Sequence, residues 1–395
     1  MPDKKMHFLM MARGSSHIRY FKRFAQFTFL NVQVVNVNRA RLKFSYLKHW
    51  SITKDIDINA LLKPHLIKKQ RKFPILSRTP FWAIYNFLMP TYIKCDIVKY
   101  IGLITENNID VVGTWNGQKL PSSAITEAAK YLKKDIVFFE NGLLPNTATC
   151  DWEGVNCHNS LPRDVNFYQG FNAGKVLPTH LIPRAPSGKK AKGIDTGSLP
   201  NRFIFVPFQM ETDSQIVTNS PWIRTMAQLV EILASVIGRV RDPSLQIVIK
   251  EHPSEVRRHD HLHGIHPKIH FSNESCTQEL IEKSEAVITI NSTVGIESLL
   301  LGKSVIVLGK ACYDVDNVCK RVSSEDMLLD ALNNPAQYAS CPEVRKSFLN
   351  FINDYYVIPT AWSKADETHF EALTQRLLKE DKFSELIKKR SQKEK

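Results

Sequence analysis

The 395-residue chain contains neither Gly-x-Gly-x-x-Gly nor Gly-x-x-x-x-Gly-Lys-Ser/Thr, which argues against a dinucleotide enzyme or a P-loop nucleotidase. It has no run of 18 or more apolar residues, so no segment reads as a membrane span. The N-terminal MPDKKMHFLMMARG has an apolar stretch too short for a secretory signal, and the expected location is the cytoplasm. The seven cysteines (95, 150, 157, 276, 312, 319 and 341) include no Cys-x-x-Cys, and a chain this long needs no staples, so reduced thiols are expected. Cys150, Cys157 and His158 lie close together, but no second ligand pair is spaced to complete a zinc site. No metal or other cofactor is expected.

Acid is scarce at the start of the chain. Residues 1–80 hold seventeen Lys and Arg against Asp3, Asp55 and Asp57, which accounts for the whole net charge of +14. A basic face of this kind suits nucleic acid or anionic lipid headgroups, or is simply solvated. Aromatics are interleaved there (Tyr20, Phe21, Phe24, Phe27, Phe29, Phe44, Tyr46 and Trp50), suited to base stacking or to interfacial anchoring. No nucleic-acid motif accompanies them, which favours the membrane surface and excludes nucleic acid as the expected partner.

Short β-branched runs alternate with amphipathic stretches along most of the chain: HFLMMA, VQVVNV, IDVVGTW and DIVFF in the first half, then FIFVPF, LQIVIK, KIHF, AVITI and SVIVLG. Between the halves, residues 185–201 are dense in Gly, Pro, Ser and Lys, as a linker is. The pattern predicts two doubly wound α/β domains at 1–190 and 200–325, with a helical segment at 326–395. Ligands of such sheets bind outside the carboxyl ends of the strands.

Four predicted strand ends carry polar groups. DIVFF runs into Glu140-Asn141-Gly142, FIFVPF into Gln209, Glu211 and Asp213, LQIVIK into Glu251-His252-Pro253, and AVITI into Asn291-Ser292-Thr293. His252 could donate a proton or stabilise a departing phosphate, with Pro253 fixing the turn that presents it; a lone histidine is also commonly structural. Ser292 or Thr293 either caps the following helix or joins its N-terminal N–H groups in gripping a phosphate. Glu140 is the carboxylate placed to act as base or nucleophile, or it simply ends a strand, and Gly142 would allow a sharp turn. The pairs Asp55-Ile56-Asp57 and Asp314-Val315-Asp316 resemble metal-dependent sugar-nucleotide sites, but such pairs are frequent by chance, and a monophosphate leaving group does not need the metal.

The pieces FFENGLLPN (138–146), EGVNCHNSLPRDVNFY (153–168), PFQMETDSQI (207–216), VIKEHP (248–253) and VITINSTVGIESLLLGKSVIVLGKACYDV (287–315) resemble the bacterial capsule polysaccharide biosynthesis proteins that act as lipid-priming β-Kdo transferases. The resemblance covers about 135–320. It implies a GT-B-like fold, two Rossmann-like domains facing a cleft, related in layout to the bacterial sialyltransferases that also use CMP-activated 2-keto acid sugars. It implies a retaining, Gram-negative glycosyltransferase that moves Kdo from CMP-Kdo to a phosphatidylglycerol-type lipid, peripheral to the inner membrane, with other capsule assembly proteins as partners. Glu140 and His252 would be catalytic. Lys250, His252, Pro253, Asn291, Ser292 and Thr293 would bind the donor; Gln209, Glu211 and Asp213 would line the cleft near the donor or acceptor, with Arg163 and Asp164 as further cleft or acceptor candidates. Asn141 stands where relatives tend to carry a second carboxylate, leaving Glu140 the only acid of that motif. A transferase for another CMP-sugar, or a non-catalytic assembly or export factor, would keep the same fold.

Overall fold

The computed structural model describes residues 6–172, 174–182, 198–255 and 259–393, so most of the predicted 185–201 linker lies outside the described residues. The chain forms two units, Met1–Ser160 with Tyr355–Lys395, and Leu161–Asp354.

The first unit starts with strand β1 (His7–Ala12), helix α1 (Ser15–Phe27) and β2 (Asn31–Asn36). Helices α2 (Ile58–Lys72) and α3 (Pro80–Glu106) follow, then β3 (Val111–Trp115), α4 (Ser122–Tyr131), β4 (Asp135–Asn141) and β5 (Thr147–Asp151). In the second unit come β6 (Phe203–Pro207), α5 (Ser214–Thr218), α6 (Met226–Arg239), β7 (Gln246–Lys250), β8 (Ile269–Phe271), α7 (Thr277–Lys283) and β9 (Ala286–Thr289). It continues through α8 (Val294–Leu300), β10 (Ser304–Val307), β11 (Lys320–Arg321), α9 (Glu325–Asn333) and α10 (Pro342–Phe351). One π-helical turn (Ile352–Tyr356) returns the chain to the first unit, which closes with β12 (Ile358–Pro359), α11 (Glu367–Leu378) and α12 (Lys382–Lys393).

Both units are doubly wound. The second sheet runs β11-β10-β9-β6-β7-β8, all parallel. Counting from β6 this is order 3-2-1-4-5-6, whose winding reverses between β6 and β9. Helix α6 packs on one face of the sheet, through Leu229, Leu233 and Ile237, whereas Leu280 and Ile281 of α7 and Val294 at the start of α8 pack on the other. The first sheet runs β12-β5-β4-β3-β1-β2; β4, β3, β1 and β2 are parallel, and β5 and β12 add an antiparallel edge. Its winding reverses between β1 and β3. Phe21 and Phe24 of α1, with Phe370 and Leu373 of α11, cover one face, and Ile97 and Ile101 of α3, with Ile125 and Ala128 of α4, cover the other. Strands read as near-continuous apolar runs because both faces of a parallel sheet are buried.

The units differ from the predicted boundaries. Residues beyond Ser160 join the second unit before the linker: the Tyr168 ring packs on Phe348 and Phe351, with centroids 5.0 and 5.5 Å away. The C-terminal helices are not a third body. Helices α9 and α10 belong to the second unit, while α11 and α12 return to the first. Arg376 fastens this return. Its buried guanidinium donates to the carbonyls of Cys150, Tyr355 and Tyr356 and meets Asp381 at 2.5 Å, so no part of the buried charge is left unpaired.

Candidate functional site

In the second unit the predicted groups gather at the carboxyl edge of three adjacent strands, β9, β6 and β7, spanning the reversal point. The structure divides them into scaffold and edge. Asn291 is buried and paired reciprocally with Gln209: Gln209 Nε2 donates to Asn291 Oδ1 at 2.9 Å, and the Asn291 N–H donates to Gln209 Oε1 at 3.1 Å. Asn291 Nδ2 donates onward to the carbonyls of Gln215 and Asn219 at 3.0 and 3.2 Å. Both amides, expected on the donor and in the cleft, are thus joints of the fold. Asp213 caps α5 by accepting from Gln215 N–H at 3.0 Å, and Glu211 accepts from Met226 N–H, the first amide of α6, at 2.7 Å. Lys250 donates to the carbonyls of Asn273 and Ser275, at 2.5 and 2.7 Å, tying β7 to the loop after β8. Arg163 Nη1 donates to Leu161 O, and Asp164 caps the turn at Val165–Tyr168.

His252, Ser292 and Thr293 stand at the edge itself. His252 opens a turn closed by Glu255 N–H to His252 O at 2.9 Å, with Pro253 in its second position. Ser254 N–H donates to His252 Nδ1 at 3.1 Å. A backbone N–H can only donate, so Nδ1 holds a lone pair and the neutral ring carries its proton on Nε2. His266-Pro267 makes the same turn, with Lys268 N–H on Nδ1 at 3.1 Å, but leads into the amino end of β8 instead of leaving the carboxyl end of a strand. Ser292 Oγ accepts from Val294 N–H at 3.2 Å, whereas Thr293 makes no capping bond. A hydroxyl that accepts one N–H still has an O–H proton to donate, so the capping and phosphate-binding readings of Ser292 are compatible. The Tyr313 hydroxyl donates to Ser292 O at 2.6 Å and braces the turn from below.

Beside this edge, Glu251 faces two imidazoles, His259 Nδ1 at 3.6 Å and His263 Nε2 at 3.9 Å from its Oε1, ion-pair rather than hydrogen-bond distances. Burial disfavours charge on both Glu251 and His259, but their mutual attraction outweighs it, lowering the carboxyl and raising the imidazole from their ordinary values.

In the first unit, Glu140 lies inside β4 rather than beyond it. Asn116 Nδ2 donates to its Oε2 at 2.7 Å, and Asn141 N–H donates to its Oε1 at 3.0 Å. Gly142 serves close approach rather than a positive-φ turn: a Cβ there would lie 1.8 Å from Thr147 Oγ1 in the β4–β5 hairpin. Asn141 accepts from Trp362 Nε1 at 2.8 Å. The reversal point of this sheet holds groups that sequence reading passed over. His17, at the start of α1, stacks on Trp115, the last residue of β3, with centroids 3.8 Å apart, and Trp362 closes on both rings. Burial lowers the His17 pKa, keeping the ring neutral at pH 7. The Asn116-Gly117 turn after IDVVGTW was the available signal, since both residues sit at positive φ, 64° and 76°. Neither Asp-x-Asp pair stands at such a strand end: Asp57 caps α2, and Asp314 pairs with Arg321 at 3.3 Å.

Two doubly wound sheets with polar strand ends at their reversal points define a class of proteins that bind their ligands there. The chain belongs to the capsule polysaccharide biosynthesis protein family. The family's model, described as capsule polysaccharide biosynthesis protein, matches residues 189–335. Protein FixF of Sinorhizobium fredii is 36% identical over 319 residues, 78% of this chain and 76% of FixF. The capsule polysaccharide export protein KpsS of Escherichia coli is 26% identical over 256 residues, 48% of this chain and 65% of KpsS. Among solved structures, the Thermosulfurimonas dismutans KpsC β-Kdo 2,7 transferase aligns with a TM-score of 0.47 at 14% identity, over 94% of this chain and 99% of that one. The match to FixF spans more of the chain than the motif pieces do.

The division into scaffold and edge predicts opposite responses to substitution. Asn291→Asp sets a carboxylate against two carbonyls and should lower unfolding stability by about 3 kcal/mol, whereas Ser292→Ala should cost about 1 kcal/mol or less; denaturant titration measures both. The Glu251–His259 pair predicts a pH window. Glu251, with its folded pKa lowered, contributes above its ordinary 4.5 and loses that contribution as pH falls through the folded value. His259, with its folded pKa raised, contributes fully below 6.5 and loses that contribution as pH rises through the folded value. The stability gap between wild type and Glu251→Gln should therefore be widest between these two values and narrow toward alkaline pH; a gap unchanged with pH contradicts the pairing.

Proposed function

We propose that the protein is a glycosyltransferase that moves Kdo from CMP-Kdo to a phosphatidylglycerol-type lipid, priming the linker of an exported capsular polysaccharide. The observation that carries this reading is the reversal point of the second unit. There His252 and the Ser292-Thr293 turn leave β7 and β9 on either side of β6, without the glycine-rich cradle of a dinucleotide site. A nucleoside monophosphate leaving group asks for little more: a positioned donor at Nε2 of His252 and the hydroxyls of Ser292 and Thr293. Family membership and the motif resemblance support the capsule context and the choice of donor.

In the proposed reaction the acceptor hydroxyl oxygen forms a bond to C2 of Kdo, and the bond from C2 to the phosphate oxygen breaks. The electron pair leaves with CMP, and the hydroxyl proton passes to a base. Retention of the β configuration requires the acceptor oxygen to enter on the face that CMP leaves, and the motif resemblance is the ground for giving Glu140 the role of the carboxylate. Its bonds from Asn116 and Asn141 hold the side chain in one orientation.

The test is transfer by purified protein from CMP-Kdo, generated in situ, to a fluorescent phosphatidylglycerol analogue, read as a mass shift beside CMP-sialic acid as donor. Wild type should add Kdo, and His252→Ala and Glu140→Ala should each reduce the rate by about 100-fold or more with unfolding midpoints unchanged. Product from CMP-sialic acid alone would move the donor to another CMP-sugar. No product from any donor, by a protein that keeps its fold, would favour the assembly or export role named for KpsS.

A further inference from the structure

The first unit carries an apolar surface that its own core does not use. Helix α2 has no buried residue, and α3 turns Met89, Ile93 and Ile97 inward while its first half is apolar on the outer face as well. Phe81 is 69% exposed and Phe87 80%, with Ile84, Leu88 and Tyr92 exposed beside them; ahead of the helix, Ile75 is 83% exposed. At about 100° per residue, positions 81, 84, 88 and 92 form one stripe with 87 on its margin, turned away from the face of the buried Met89 and Ile93. No charged residue occurs between Pro80 and Ile93. Single exposed apolar side chains are ordinary, but a contiguous stripe on a helix whose other face is already buried marks a surface that something covers.

Charge says what covers it. Between Asp57 and Asp96 there is no carboxylate and there are seven Lys and Arg. Helix α2 ends in Lys69, Arg71 and Lys72, and the ammonium groups of Lys69 and Lys72 lie 5.7 and 5.4 Å from the Phe73 ring centroid, at the border of the apolar stripe. Arg78 is exposed on the connection to α3. An anionic bilayer meets both features, its headgroups taking the cations and its acyl region the phenylalanines. The uncharged stretch is roughly 20 Å long as helix, too short for the ~30 Å hydrocarbon core, so it lies in the interface instead of crossing it. Of the aromatics of the first 50 residues, Tyr20, Phe21, Phe24 and Tyr46 are buried and take no part in such a surface, whereas Phe27, Phe29, Phe44 and Trp50 are exposed.

We propose that α2 and the first half of α3 dock the protein on an anionic phospholipid bilayer, with Ile75, Phe81 and Phe87 inserted and the basic end of α2 on the headgroups. This deepens the lipid-acceptor reading and rests on it for its purpose, but its test contains no donor, so the two can fail separately. The full-length protein is sedimented with vesicles of phosphatidylcholine alone or mixed with phosphatidylglycerol. Wild type should sediment with the mixed vesicles, and the Phe81→Asp, Phe87→Asp double variant should partition about tenfold or more weakly with an unchanged unfolding midpoint. Lys69→Gln, Arg71→Gln and Lys72→Gln together should remove most of the dependence on phosphatidylglycerol. Wild type that ignores both vesicles, or variants that bind as well as wild type, would overturn the proposal. So would a wild-type dimer that the double variant turns into a monomer, since the stripe would then be covered by a second copy.

Discussion

The reciprocal pairing of Gln209 and Asn291, in which the Gln209 side chain donates to the Asn291 side chain and accepts from the Asn291 backbone N–H, is the joint around which the second unit's site is organised. At the reversal point the chain leaving β6 goes to one face of the sheet and the chain leaving β9 to the other, so the two strand ends diverge. The amide pair spans that divergence, and Asn291 extends the tie to the carbonyls of Gln215 and Asn219. A buried amide needs both its donor and its acceptor satisfied, and here the Gln209 amide is satisfied by Asn291, while the Asn291 amide accepts from Gln209 and donates to the two carbonyls. With the joint fixed, the next residues, Ser292 and Thr293, are presented at the edge, two positions before α8 begins at Val294.

The first unit shows the same logic with different chemistry. Glu140 gains its orientation from Asn116, which adopts a positive φ at the turn after β3, and Asn141 is held by Trp362 from the returning C-terminal segment. That segment is locked by Arg376, whose charge is spent on three carbonyls and Asp381. Asn141 therefore has a local role: its amide oxygen accepts the indole N–H without placing a second charge beside Glu140. The C-terminal return is thus part of what shapes the neighbourhood of Glu140, though nothing in the spacing of α11 or α12 announces it.

The alternation of apolar runs made both sheets legible, since buried parallel strands are written almost wholly in β-branched and aromatic residues and Thr277–Lys283 has helical spacing. What escaped were elements whose reason is tertiary. β11 and β12 are two-residue strands, too short for any period to register, and α2 packs Ile58, Leu61 and Leu62 on the core only partly buried, with no fully buried residue to set its pattern. The boundary between units was misplaced because Gly and Pro density marks a flexible-looking segment, whereas Tyr168 joins the second unit by aromatic packing with residues nearly 180 positions away. At the site, sequence found which strand ends are polar but not which groups the fold uses up. Asn291, Gln209, Asp213 and Lys250 look like ligand groups until their backbone partners are seen, and the His17–Trp115 stack joins residues far apart in the chain.

The central claim is that the β6–β9 reversal point recognises the phosphate of a cytidine monophosphate. Calorimetric titration of the full-length protein with CMP, and with cytidine as the phosphate-free comparison, tests it most directly. The account predicts that CMP binds at least about tenfold more tightly than cytidine, and that Ser292→Ala with Thr293→Ala removes that difference while leaving cytidine affinity unchanged. Equal affinity for CMP and cytidine, or a preference for CMP that survives the double substitution, would contradict it.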